Sequence, residues 1–298
     1  MSKLSQALTS GTFIITAEIT PPLSSAPEDF LEKASILRGK VDAVNVTDGA
    51  SARAHMSSLV CAGLLLQNDL EPILQFTCRD RNRIALQSDL LGASALGIEN
   101  LLILRGDDPT AGDQPEARAV FDYESQELIE CAAFMRDSGK LPSGREIKKR
   151  PFFVLGCADT PMRPTDPRWK PSSLQSKIRA GVHFIQTQFC FDIDIVKEYA
   201  ASLRELGITE KAGVLIGIAP LTSSKSALWM RENLWGTSIP DHIIERIEKA
   251  NDQSAEGTQI CAELIAGYSE IKGISGVHIM APIGFDAIPL AIKRSGLR

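Results

Sequence analysis

The chain has no run approaching the ~18 consecutive apolar residues of a membrane span, and its opening MSKLSQALTSG lacks the apolar stretch of a secretory signal. Both absences lead us to expect a cytoplasmic protein with no membrane partner. Basic charge is not in excess either. Thirty-two Lys and Arg against 37 Asp and Glu give a net charge of −5, which offers no electrostatic footprint for nucleic acid. No two of the six cysteines (Cys61, Cys78, Cys131, Cys157, Cys190, Cys261) form a C-x-x-C pair, so zinc and iron–sulfur spacings are missing. They read as core or near-site thiols. The four histidines (His55, His183, His242, His278) are scattered, and no metal-ligand cluster is legible. G-x-G-x-x-G and G-x-x-x-x-G-K-[ST] do not occur, which weakens dinucleotide-fold and P-loop readings.

What is present is ordinary for a folded chain: 44% apolar residues, 23% charged. The 298 residues suit either two domains or one α/β barrel of about 250 residues. Short apolar, β-rich segments recur at Phe13–Ile19, Val41–Thr47, Pro72–Thr77, Leu101–Arg105, Phe152–Gly156, Phe184–Phe189, Val214–Ile218 and Val277–Ala281. Between them lie helical patterns: one opened by Pro27 with Glu28 and Asp29 in its first turn, and others at Ala54–Asn68, Arg81–Ala95, Ser125–Ser138, Leu174–Ala180 and from Asp192 to Gly207. Three more helices (Lys225–Glu232, Asp241–Ala250, Ala255–Lys272) separate the last two strands, and Phe285–Arg294 closes the chain. Parallel strands need crossovers of a dozen or more residues, so eight alternations predict an α/β protein with a closed (β/α)8 TIM barrel as a single domain over 1–298. Residues 1–10 read as an N-terminal extension. An open doubly wound sheet is the rival. The basic, Gly- and Pro-bearing stretch Ser138–Arg150 reads as a solvated linker on the face opposite catalysis.

In such a barrel function gathers at the strand C-termini and the loops after them. There the sequence places Glu18, Thr47-Asp48-Gly49, Gln75 with Thr77, Arg105-Gly106-Asp107-Asp108-Pro109, and Gln186-Thr187-Gln188. Glu18 is the sharpest of these. A carboxylate inside an apolar strand costs several kcal/mol to bury ionised, and a buried carboxyl is suited to donate a proton near neutral pH. A Glu paired with a buried cation, or one reaching solvent, fits the pattern equally. Arg105-Gly106 lets backbone approach a ligand beside a guanidinium fork; an ordinary loop with an Asp-Pro turn is the alternative. Gln188 offers donor and acceptor to a heterocycle edge, with Phe189 and Phe191 as flanking apolar surface, or it caps loop backbone.

Taken in order, Ala17-Glu18-Ile19-Thr20-Pro21-Pro22, Val46-Thr47-Asp48-Gly49-Ala50, Leu104-Arg105-Gly106-Asp107-Asp108-Pro109 and Thr187-Gln188-Phe189-Cys190-Phe191-Asp192 resemble the methylenetetrahydrofolate reductase family over roughly residues 11 to 290. The resemblance implies a (β/α)8 barrel with FAD at the strand C-termini and hydride moving from NADH or NADPH to 5,10-methylenetetrahydrofolate. NADH is favoured, since no cluster for a 2′-phosphate is legible. By the same resemblance Glu18 is the general acid that protonates folate N10, Asp107 the acid that meets the pterin, and Gln188 the amide that contacts substrate. Flavin contacts fall to Thr47, Asp48, Gln75, Arg105, Gly106 and Asp107 on the earlier strands. Further round the barrel they fall to Tyr123, Ser125, Cys157, Ala158 and Lys177.

The chain departs from the family pattern in places. Gln75-Phe76-Thr77-Cys78 stands where many members have His-Leu-Thr-Cys. Gly156-Cys157-Ala158-Asp159-Thr160 stands where Tyr-Pro-Glu-x-His is usual, Leu221-Thr222-Ser223-Ser224 replaces a segment with a Phe, and His278-Ile279-Met280 lacks an Arg. The folate is the expected small-molecule partner, with a homo-oligomer or a partner subunit alongside. A pterin-binding methyltransferase barrel without flavin, or a non-catalytic folate-binding subunit, are the alternative functions.

Overall fold

The computed structural model describes residues 1–298. Eight parallel strands close on themselves in chain order: β1 (Ile14–Ile19), β2 (Ala43–Val46), β3 (Pro72–Thr77), β4 (Asn100–Leu104), β5 (Val154–Asp159), β6 (Phe184–Phe189), β7 (Gly213–Ile218) and β8 (Gly276–Ile279), with β8 pairing back onto β1. The open-sheet rival is thereby excluded. Helices follow each strand, and three of them lie between β7 and β8, as the sequence pattern predicts.

Local chemistry explains where the helices begin. Asn82 accepts from the N–H groups of Ile84 and Ala85, and Asp192 from those of Asp194 and Ile195, so each opens its helix with a side-chain cap. Pro27 stands at the first helical position with Glu28 and Asp29 beside it, where a missing N–H costs nothing and acids oppose the helix dipole.

The strand period of two sorts the side chains. Ile15, Ala17, Ile19, Val44, Val46, Leu74, Phe76, Ile185 and Ile216 face the helix layer in one continuous buried cluster. Ile14, Ala43, Ile73, Leu102, Val154, Phe184 and Leu215 fill the barrel's lower interior. Gly156 is required there, because a β-carbon would lie 2.2 Å from the ring of Phe184.

Three expectations are corrected. Residues 1–10 are not a bare extension: Lys3–Ser10 form helix α1, and Leu4, fully buried, closes the barrel floor against the lower interior layer. Strand five runs Val154–Asp159 rather than Phe152–Gly156, so Asp159 reaches the mouth. Ser138–Arg150 is not a solvated linker throughout, since Lys140 bridges Glu146 antiparallel and Leu141 and Ile147 pack on the core.

Candidate active site

Above the apolar floor the barrel interior turns polar. Thr16, Asn45, Gln75, Gln186 and His278 are each at most 6% exposed. Asn45 and Gln186 exchange two hydrogen bonds, of 2.7 and 3.0 Å. Thr16 Oγ1 lies 3.0 Å from His278 Nδ1. On this layer stands Glu18. Its Oε2 accepts from Gln75 Nε2 at 2.6 Å and lies 3.6 Å from His278 Nε2. The side chain keeps 22% exposure, so Glu18 is neither sealed in the core nor salt-bridged to Lys or Arg: its carboxyl faces the mouth.

Glu18, Gln75, Ala158, Lys177 and Gln188 line one cavity of about 580 Å³ at the C-terminal mouth. The Gln188 amide donates to Trp235 O (3.1 Å) and accepts from Phe189 N–H (3.0 Å), leaving one donor and one lone pair for a ligand edge. Lys177 Nζ donates to Ala158 O at 3.1 Å. Arg168, Lys170, Trp169 and Trp235 complete a basic, aromatic wall that the sequence reading missed, because the first three lie on the loop after β5 and Trp235 on the connection between the helices Ser224–Asn233 and Asp241–Glu248, none of them on a strand. Asp159 also lines the cavity. Burial pushes its carboxyl up from the usual value, while the Tyr199 hydroxyl, which donates to it, pulls the other way.

The other expected residues lie outside that cavity. Asp107 is exposed on the loop after β4, at the same end of the barrel as Glu18, and is not among the residues lining the cavity. Asp48 is taken up by the fold: Thr77 donates to it twice at 2.9 Å, and Arg81 pairs with it. Arg105 turns outward to Glu124 (3.1 Å) and lies over the Phe121 ring. Tyr123 lies under Arg83 in a separate surface hollow, and Ser125 begins helix α5 (Ser125–Ser138) beside it. Cys157 is fully buried in the helix-facing cluster, where burial pushes its thiol up to about 12. Thr47 keeps a buried hydroxyl with no protein partner.

Arg79, unmarked in the sequence reading, explains why the β2–β4 side of the rim is full. It is 4% exposed and forks onto Asp80 with two 2.9 Å hydrogen bonds. Its side chain fills the space beside Gly49 and Gly106, where added β-carbons would meet it at 2.1 and 3.0 Å. The turn Ala50–Ala52 then touches Gly112, so the loops after β2 and β4 close on each other.

An eight-stranded barrel with one polar-floored cavity at its C-terminal mouth defines a (β/α)8 small-molecule site. The methylenetetrahydrofolate reductase profile matches residues 3–295, and the chain belongs to that family. A probable NADPH-type methylenetetrahydrofolate reductase of Caenorhabditis elegans is 27% identical over 81% of this chain and 34% of its own length. Methylenetetrahydrofolate reductase 2 of Saccharomyces cerevisiae is 26% identical over 82% and 39%, and a probable NADH-type enzyme of Oryza sativa 23% over 94% and 47%. The chain thus spans between a third and a half of these relatives' length. Among solved structures, an uncharacterised Clostridium thermocellum protein that binds two copies of 5-methyl-5,6,7,8-tetrahydrofolic acid shares the fold. Its TM-score is 0.65 at 15% identity, over 97% of this chain and 98% of that one. No helix here is long and apolar enough to cross a membrane.

Proposed function

We propose that this chain reduces 5,10-methylenetetrahydrofolate to 5-methyltetrahydrofolate in the mouth cavity, with NADH or NADPH as the source of hydride. The observation that carries the reading is that Glu18 and Gln188, the acid and amide that the family resemblance assigns to folate, line the same cavity. The fold neighbour that binds 5-methyltetrahydrofolate supports the ligand class.

The chemistry follows from the placement. Glu18 gives its proton to folate N10, the bond between N10 and the methylene carbon breaks, and an iminium forms at N5. Hydride then adds to the methylene carbon and leaves a methyl group on N5. Glu18 ends as a carboxylate, stabilised by the Gln75 N–H. Gln188 offers its free donor and lone pair to the pterin edge. Trp169 and Trp235 give flat apolar surface, and Lys170 and Lys177 give positive charge for phosphate or carboxylate groups.

FAD, which the resemblance implies, is matched only in part by the residues as they stand. Of the positions carried over for it, Gln75, Ala158 and Lys177 line the cavity, and Thr47 keeps an unpartnered buried hydroxyl. Asp48, Arg105, Tyr123 and Cys157 are committed to protein contacts, and Arg79 fills the rim between Gly49 and Gly106. We therefore derive no step through a flavin.

The test is anaerobic oxidation of NADH and NADPH by the purified chain on addition of 5,10-methylenetetrahydrofolate, with and without added FAD, and with the product identified. Stoichiometric 5-methyltetrahydrofolate supports the proposal. Neither nucleotide consumed under either condition, with folate still bound, points instead to the methyltransferase or binding-subunit readings.

A further inference from the structure

We propose that His278, acting with Gln75, is a positioning residue that fixes which oxygen of Glu18 delivers the proton. The inference rests on Glu18 being the acid. The argument starts below it, in the buried polar layer. Asn45 Nδ2 donates to Gln186 Oε1 and Gln186 Nε2 donates back to Asn45 Oδ1, at 2.7 and 3.0 Å. That reciprocal pair orients the Gln186 amide, so its Nε2 also faces Thr16 Oγ1 at 3.1 Å and His278 Nδ1 at 3.3 Å.

An amide nitrogen donates and has no lone pair to accept with. Gln186 Nε2 has two hydrogens for three facing acceptors, Asn45 Oδ1, Thr16 Oγ1 and His278 Nδ1; where one hydrogen goes to Nδ1, that nitrogen accepts and the neutral ring carries its proton on Nε2. Nε2 is the atom that faces Glu18 Oε2, at 3.6 Å. Gln75 Nε2 donates to that same oxygen at 2.6 Å.

Gln75 thus donates to Oε2, the His278 ring nitrogen stands at 3.6 Å from the same oxygen, and neither contact involves Oε1. A carboxyl placed this way holds its proton on Oε1, and the charge left after transfer is met at Oε2 by the Gln75 N–H, with the His278 ring beside it. The ring is not a relay. To pass a proton inward it would need to take one at Nδ1, and Nδ1 is closed off by Thr16 and Gln186, with His278 only 2% exposed. Glu18 is re-protonated from the mouth side.

The sequence pattern supports the geometry. Thr16 and Glu18 share the interior face of β1, Gln186 that of β6 and His278 that of β8, and Thr16 is the register partner of His278.

The variants His278→Asn and His278→Gln separate the two ring nitrogens. Asn can replace Nδ1 as acceptor for Gln186 but has nothing at the Nε2 position, whereas Gln can place an N–H there. Turnover by His278→Asn should fall by about threefold to tenfold, with the folate KM and melting temperature near wild type, as for loss of a modest polar contact beside the developing charge. His278→Gln should recover most of that loss. Gln75→Leu, which removes the other donor, should lower kcat in the same way and provides the readout should His278→Asn not fold. Wild-type kcat in both His278→Asn and Gln75→Leu overturns the proposal, as does equal loss in His278→Asn and His278→Gln. Glu18→Gln is measured alongside: if it turns over normally, the acid assignment itself has failed, an outcome distinct from these.

Discussion

A β-carbon placed on Gly106 would lie 3.0 Å from the β-carbon of Arg79. Gly106 also has φ +89°, a region that side-chain-bearing residues rarely adopt. Both constraints act at one rim position, so Gly106→Ala is expected to destabilise the fold by about 1–3 kcal/mol. Equilibrium denaturation measures this; an unchanged midpoint would show that the rim relaxes around Arg79 freely.

The same rim bears on flavin. With Arg79 between Gly49 and Gly106, and Asp48 held by Arg81 and Thr77, the chain is expected to emerge from gel filtration without flavin absorbance. A stoichiometric yellow complex that survives the column would mean that the β2–β4 loops adopt another arrangement when FAD is bound.

Asp107 and Glu18 stand at the same barrel end in different surroundings, one exposed on a loop and the other in the cavity wall. Asp107→Asn is therefore expected to change kcat/KM for the folate by no more than about threefold. A large loss confined to folate kinetics would bring the loop after β4 back into the site.

Leu4 is fully buried against Ile14, Phe184 and Leu215 at the barrel floor. Truncation there leaves a cavity that α1 cannot close, and Leu4→Ala should cost about 2–5 kcal/mol. Chemical denaturation of the variant reads this directly, and a cost under about 1 kcal/mol would show that α1 is not part of the cooperative fold.

His183 gives the stability a pH dependence. Burial, then the Arg136 guanidinium 3.4 Å away, lower its pKa from the ordinary 6.5, and its Nδ1 accepts the Leu155 N–H at 3.0 Å. The folded chain therefore binds this proton less readily than the unfolded one. The contribution is complete above the ordinary value and is lost as pH falls from there through the lowered value. Melting temperatures measured from pH 8 to pH 5 should fall more steeply for wild type than for His183→Asn; parallel curves would show that His183 does not contribute.

The barrel was legible because its signals are local. Strand alternation and helix caps placed β3, β6 and α5 at the boundaries observed, and the same alternation put Glu18, Gln75 and Gln188 at one mouth. What escaped was set by distant partners. Asp48 and Arg105 look like ligand residues until Arg81 and Glu124, 33 and 19 positions away, pair with them. Helix α1 carries few apolar residues, and only the floor layer gives Leu4 its place. His278 was readable in principle, since it alternates with Met280 on the interior face of the last strand and its loop. A count of histidines as metal ligands passed over it.

The central claim is that the cavity beneath Gln188 opens a folate's one-carbon bridge with a proton from Glu18. It is tested most directly by reduced-nucleotide oxidation with 5,10-methylenetetrahydrofolate in wild type and Glu18→Gln, with 5-methyltetrahydrofolate binding measured by Trp169 and Trp235 fluorescence. The account predicts that Glu18→Gln binds the methyl product within a few-fold of wild type while losing about a hundredfold or more in turnover. Turnover at the wild-type rate, or loss of binding and turnover together, would contradict it.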